Sequence, residues 1–273
     1  GSFNDDMSFT VKGITQQDGK QIEYQGTVNE DYQLVLSKKS DQSKLEFIQD
    51  YEGGIPFKAY ALSEEFDGEA GSLSDKMQVL LPAFTEEFSE LNRLLINLLF
   101  EKKEGRAQEL LNMHHQKLLN DFKSDEMGGF WNRELNSEVL YNNKGYIAYG
   151  VHEFSYTGGA HGNGASSFIL YDLIKQKQVA LSDMFSKEDL EKLKELIYEQ
   201  IKSERKLSDA EMRNEYNLPI KPNDNFYITP KGLHFFYNAY ELSSYAMGSD
   251  AVFFSFEELN EGFKTGFFKN LAL

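Results

Sequence analysis

The sequence predicts an α+β protein: mostly antiparallel sheets packed with a few amphipathic helices, in two subdomains. Three observations carry this. Alternating apolar residues and glycine-bearing turns fill the first sixty positions. Stripes of helical period then cluster in the middle of the chain, and strand-like runs return after them. Strands, grouped helices and strands again is the order of an α+β fold with hairpin connections.

Taken in order, "MSFTVKGIT" (7–15), "QIEYQGTV" (21–28) and "DYQLVLS" (31–37) read as strands, the first two joined through an Asp-Gly turn. "KLEFIQDYEGGIPFKAYAL" (44–62) adds a pair with Gly53-Gly54 at its turn, and the acidic "SEEFDGEAGSLSD" (63–75) reads as an exposed loop. Phe84, Phe88, Leu91, Leu95 and Leu98 then follow at helical spacing, with Pro82 suited to a helix start. A second helix is expected over 104–123. Residues 129–143 and 145–156 read as a hairpin, 167–174 and 178–181 as another. The helix at 187–204 carries Leu190, Leu193, Leu196, Ile197 and Ile201, with Ser186 and Asp189 as its cap. A short helix opens at Ser208, and strands are expected at 225–229, 232–240 and 251–256. A boundary falls near 175–185, giving an N-terminal domain over 1–178 and a C-terminal domain over 179–273.

Composition excludes several classes of function. Lys and Arg number 28 against 44 Asp and Glu, so the net charge is −16. With no basic stripe, the chain lacks what phosphate binding by counterion release requires, so no nucleic acid is expected as a partner. An acidic surface instead favours encounter with a basic protein. The absence of cysteine excludes disulfides, thiolate zinc sites and a Cys nucleophile. No apolar run reaches the ~20 residues of a membrane helix, so anchoring would have to come from an N-terminal signal or lipid removed from this sequence.

The densest candidate for chemistry is "YTGGAHGNGASSF" (156–168), with strand-like flanks. It has neither the Lys-Ser/Thr of a phosphate loop nor the Gly-x-Ser-x-Gly order of a serine hydrolase. Glycines here suit positive φ at a tight connection, while His161 and Asn163 offer polar groups that a plain turn does not need. The histidines at 114, 115, 152, 161 and 234 lack metalloprotease spacing, and no metal or cofactor is expected. His152 and Glu153, alternating on a strand, should face opposite sides. "LHFFYNAYELSSYAMGSD" (233–250) holds more aromatics than one buried strand face needs, which raises a recognition surface beside core packing.

Two of these pieces resemble one bacterial envelope family. "YTGGAHGN" (156–163), with "YDL" (171–173) and "ALSDMF" (180–185), and "NFYITPKGLHFFYNAYELSSYAMGSDAVFFSFEEL" (225–259) are similar to the signatures of domain-of-unknown-function 3298. Its usual N-terminal companion is domain-of-unknown-function 4163. Ala239 and Leu242 depart from the family's more frequent Pro and Ile. The resemblance implies a 4163-like domain over 1–178, ending in the Gly-rich loop, and a 3298-like domain over 179–273. It also implies an extracytoplasmic setting, as in lipoproteins, in ectodomains of lysozyme-sensing anti-sigma factors, and beside polysaccharide deacetylases. The expected function is a non-catalytic binding module whose ligand is a basic, lysozyme-like protein or peptidoglycan glycan. The expected contacts are Tyr156, Thr157, Gly158, Gly159, His161 and Asn163 from the loop, with Tyr237, Tyr240, Glu241 and Tyr245 from the aromatic segment. The rivals are an enzyme on wall glycan, with His161 paired to a carboxylate, and a structural domain whose loop polar groups are all consumed internally.

Overall fold

The computed structural model describes residues 8–14, 21–28, 34–38, 44–47, 54–67, 73–100, 105, 107–124, 131–156 and 158–271. Contacts divide the chain into two compact units, Gly1–Tyr51 and Glu52–Leu273. The first holds four strands, β1 (Ser8–Ile14), β2 (Gln21–Val28), β3 (Leu34–Lys38) and β4 (Lys44–Phe47), paired in chain order as an antiparallel meander.

The second unit is built on a six-stranded sheet. Its strands are β5 (Lys58–Asp67), β6 (Leu73–Ala83), β7 (Trp131–Asn143), β8 (Tyr146–Tyr156), β9 (Asn163–Asp172) and β10 (Lys177–Gln178), ordered β10-β9-β8-β7-β6-β5. All pairings are antiparallel except β6 with β7. Parallel neighbours cannot be joined by a tight turn. The crossover consists of α1 (Ser89–Phe100) and α2 (Ala107–Ser124), which is why the helical stripes cluster here. Lys144 and Gly145, both at positive φ (48° and 83°), close the β7–β8 hairpin as the primed turn that matches strand twist.

Alternation along β8 and β9 separates two cores. Ile147, Tyr149, Val151, Ile169 and Tyr171 face one side, where Leu91, Leu95, Ile96 and Leu99 of α1 and Leu110 and Leu111 of α2 cover them. Ala148 and Leu170 face the other side, joining the core of the C-terminal elements. Those elements are a three-stranded antiparallel sheet of β11 (Phe226–Thr229), β12 (Gly232–Tyr237) and β13 (Asp250–Ser255), with four helices. The helices are α3 (Leu181–Met184), α4 (Lys187–Arg205), α5 (Asp209–Glu215) and α6 (Phe256–Gly262). Leu193, Ile197 and Ile201 of α4 are fully buried in this core, each contributing roughly 1.5–3 kcal/mol by leaving water. As the sequence indicates, Ser186 caps α4 with Asp189 completing the box, and Ser208 with Glu211 does the same for α5.

Four expectations change. The pair expected over 44–62 does not form: β4 pairs with β3 and β5 with β6, in different sheets. The acidic stretch 63–75 is not one loop: β5 runs to Asp67 and β6 begins at Leu73, with Glu65 set opposite Lys76 across the pair. Backbone pairing overrides the poor strand propensity of these residues. Pro82 does not start a helix but ends β6, beyond the stretch that pairs with β7, so its missing N–H costs no ladder bond on that side. There the Asn92 side chain clamps Phe84, accepting from its N–H (2.8 Å) and donating to its carbonyl (2.9 Å). Finally, β12 stops at Tyr237 rather than at 240, because residues 238–241 fold into a turn.

Candidate functional site

β8 and β9 are joined by the Gly-rich loop. Gly158 and Gly159 take φ of 95° and 101°, a conformation costing most residues roughly 1–2 kcal/mol. The Tyr156 hydroxyl donates to the Gly159 carbonyl at 3.0 Å and closes the loop. Thr157 lies outside the described residues. At Gly162 the need is space: a Cβ there would stand 2.4 Å from the Phe154 ring.

His161 projects from this loop toward the segment after β12. Its Nδ1 lies 2.9 Å from the Gly162 carbonyl, and its Nε2 lies 3.0 Å from the Tyr240 hydroxyl. A carbonyl only accepts, so Nδ1 carries a proton, and the Tyr240 hydroxyl is the hydrogen-bond partner of Nε2. Tyr245 stacks on the imidazole with 3.7 Å between ring centroids and 15° between planes. Tyr240 and Tyr245 are 5.6 Å apart. Three rings from two distant segments thus form one surface patch, and Tyr240 is 58% exposed.

The tie between the segments is made by two asparagines. Asn238 accepts from the Ser166 N–H (2.7 Å) and donates to the Ser166 carbonyl (3.1 Å). Asn225 accepts from the Phe168 N–H (2.9 Å) and donates to the same Ser166 carbonyl (2.8 Å). Their amides act as a surrogate strand along the outward edge of β9, fixing where the loops after β8 and β12 meet. Sequence reasoning missed both; "NDNFYI" and "YNAYE" offered only asparagines near turns.

The remaining expected contacts lie apart from the rings. Tyr237 is buried, its hydroxyl donating to the Lys221 carbonyl at 2.9 Å, and burial followed by the nearby Glu241 pushes its pKa up. Glu241 braces the turn, accepting from the Asn238 N–H (3.0 Å) and the Asn223 amide (3.2 Å). Asn163 lies at a cleft beneath α2.

The other histidines are dispersed. His152 faces the C-terminal core side, edge-on to Phe168, with Nδ1 2.9 Å from the Ser166 hydroxyl and Nε2 3.6 Å from the Glu138 carboxylate. Glu153 points to the opposite face, at the cleft beneath α2. His234 stacks on Tyr227, with 4.6 Å between centroids and 2° between planes, and burial lowers its pKa. Among the described residues, no three His, Asp or Glu side chains gather as metal ligands, and no helix is long and apolar enough to cross a membrane.

The fold resembles that of a DUF3298-family protein from Bacteroides fragilis (TM-score 0.63, 21% identity, 80% of this chain and 98% of that one). It also resembles one from Pseudomonas aeruginosa (TM-score 0.59, 23% identity, 82% and 99%). A stretch of 126 residues is 28% identical to the peptidoglycan-N-acetylmuramic acid deacetylase PdaC of Bacillus subtilis. That stretch is 44% of this chain, which spans only 27% of the deacetylase's length. Residues 182–257, from α3 through β13, match the family described as "Protein of unknown function (DUF3298)", so the C-terminal part of this chain is a DUF3298 domain.

Proposed function

We propose that this chain is a non-catalytic binding module working outside the cytoplasm, at the bacterial cell wall, and that the patch of His161, Tyr240 and Tyr245 takes an N-acetylated wall glycan. One observation carries the reading: the His161 and Tyr245 rings stack at 3.7 Å beside Tyr240, which is 58% exposed, so three rings are held together as a rigid outward surface. Preorganised, amphipathic rings with a hydroxyl at the rim are what a sugar's apolar face and hydroxyl edge require. The partial similarity to a peptidoglycan deacetylase supports the wall as the setting.

A second reading, a basic lysozyme-like protein as partner, is favoured by the net charge of −16. Calorimetric titration separates the two. For the glycan reading, an N-acetylglucosamine tetramer binds, salt changes its affinity little, and Tyr240→Ala abolishes the heat. Salt-weakened binding of lysozyme, with none of the tetramer, would replace the first reading by the second.

A further inference from the structure

Two of the three rings of the patch, Tyr240 and Tyr245, ride on the chain between β12 and β13, and what lies behind that segment decides where they stand. At its start, Asn238 ties it to β9 and Glu241 braces the turn. Just past Tyr240, the Leu242 carbonyl accepts from the Asn217 N–H at 2.7 Å. Ser243 then forms an isolated antiparallel bridge with Tyr216, the residue that caps the C-terminus of α5. A single 3-10 turn follows at Tyr245–Met247, closed by the Met247 and Gly248 N–H groups on the Ser244 and Tyr245 carbonyls (3.0 and 2.9 Å). Gly248 takes φ 77° where a Cβ would meet nothing within 4 Å, so backbone conformation and not crowding selects glycine there.

At the far end of the turn sits Asp250, only 6% exposed. Its Oδ1 accepts from the Tyr216 hydroxyl (3.2 Å) and from Nε of Arg205 (2.8 Å), while a second Arg205 nitrogen donates to the Ser249 carbonyl (2.7 Å). Tyr216 therefore holds both ends of the turn. Its backbone pairs with Ser243 before Tyr245, and its hydroxyl reaches Asp250 after it. Burial and then the neighbouring carboxylate push the Tyr216 phenol up to about 12, so it stays a donor near neutrality. Arg205 ends α4, whose Leu193, Ile197 and Ile201 are fully buried, so the tie is made to a fixed element. Hydrogen bonds to a charged acceptor are the stronger kind, and the planar guanidinium sets direction as well as distance.

We propose that Asp250 is the positioning residue of the ring patch: with Arg205 and Tyr216 it closes the base of the turn 244–249 and so holds Tyr245 stacked on His161. It acts through the turn, not on the ligand. Its effect on ligand affinity rests on the wall-glycan reading above; its hold on the stack of Tyr245 and His161 does not.

The test reads the stack and the ligand separately, on the full chain at one fixed pH. With Tyr245 3.7 Å from the imidazole, its ring current moves the His161 Cε1 proton resonance upfield, and Tyr245→Ala gives the unstacked reference. Asp250→Ala should move that resonance at least halfway to the reference and weaken calorimetric binding of the N-acetylglucosamine tetramer about fivefold or more, the cost of ordering a loosened side chain on binding. Tyr216→Phe keeps the buried ring and removes only the hydroxyl; it should move both readouts the same way by less, and it decides the matter if Asp250→Ala does not fold. Leu193→Ala, in the same core but away from the turn, should lower the melting temperature and move neither. A His161 resonance that stays put in folded Asp250→Ala and Tyr216→Phe, or that moves as far in Leu193→Ala, overturns the positioning role. A parent chain that does not bind the tetramer sinks the glycan reading alone, because the resonance still reports the stack.

Discussion

Tyr240 reaches the Nε2 of His161 at 3.0 Å from a backbone held at φ 73°, a conformation that tyrosine rarely adopts. Strain of this kind, on the order of 1–3 kcal/mol, persists where surrounding structure fixes it, and it clusters at ligand sites. Tyr240→Gly should therefore leave thermal stability unchanged or raise it by up to about 1 kcal/mol while removing glycan binding. Tyr240→Phe keeps the ring and loses the hydroxyl, and should weaken binding only several-fold. A Tyr240→Gly variant that melts well below the parent would show that the ring supports the fold instead.

The asparagine pair on β9 makes a stability prediction. Asn238→Ala strands the Ser166 N–H and should cost roughly 1–3 kcal/mol in a urea titration. Asn225→Ala strands the Phe168 N–H at a similar cost. Because the Ser166 carbonyl keeps one amide donor in each single variant and loses both only in the double, the double variant should lose more than the sum of the two. Full additivity would mean that they do not act as one clamp.

Two glycines of the same loop should fail for different reasons. Gly158→Ala meets nothing within 4 Å and should cost only the ~1–2 kcal/mol of a left-handed backbone. Gly162→Ala drives a methyl into the Phe154 ring and within 3.0 Å of the Ser155 carbonyl, so overpacking of roughly 1–3 kcal/mol is expected. Glycan binding should fall more with the second, since Gly162 supplies the carbonyl that orients His161. Denaturation midpoints and calorimetry on both variants check this.

His234 sets an acid limit. Burial against Tyr227 lowers its pKa below the ordinary 6.5, so the folded ring resists a proton that the unfolded chain accepts. Stability from this site is therefore complete above about pH 6.5 and is lost as pH falls from there through the lowered folded value. His234→Phe, which keeps a stacking ring without a titrating group, should flatten the stability profile below pH 6.5. An unchanged profile would assign the acid sensitivity elsewhere.

Local pattern disclosed much of this architecture. The α4 stripe and its Ser186 cap, the β7–β8 hairpin and the opposite faces of His152 and Glu153 all follow from period and turn chemistry. What pattern could not reach was pairing at a distance. The parallel contact of β6 with β7 and the strand character of residues 63–67 exist because of partners sixty or ten residues away. The meeting of His161 with Tyr240, 79 residues apart, depends on Asn225 and Asn238, whose role as a surrogate strand appears only once β9 lies beside them. Tyr237 and Tyr240 look alike in sequence; the end of β12 between them buries one and exposes the other.

The amide clamp on β9 has a consequence for the behaviour of many copies together. An unfinished strand is a template for any other copy of the same chain. By spending two side chains on the bonds a seventh strand would make, the sheet ends its own growth, as a chain terminator ends a polymer. At the Ser166 N–H and carbonyl and at the Phe168 N–H, a second copy finds the bonds already made.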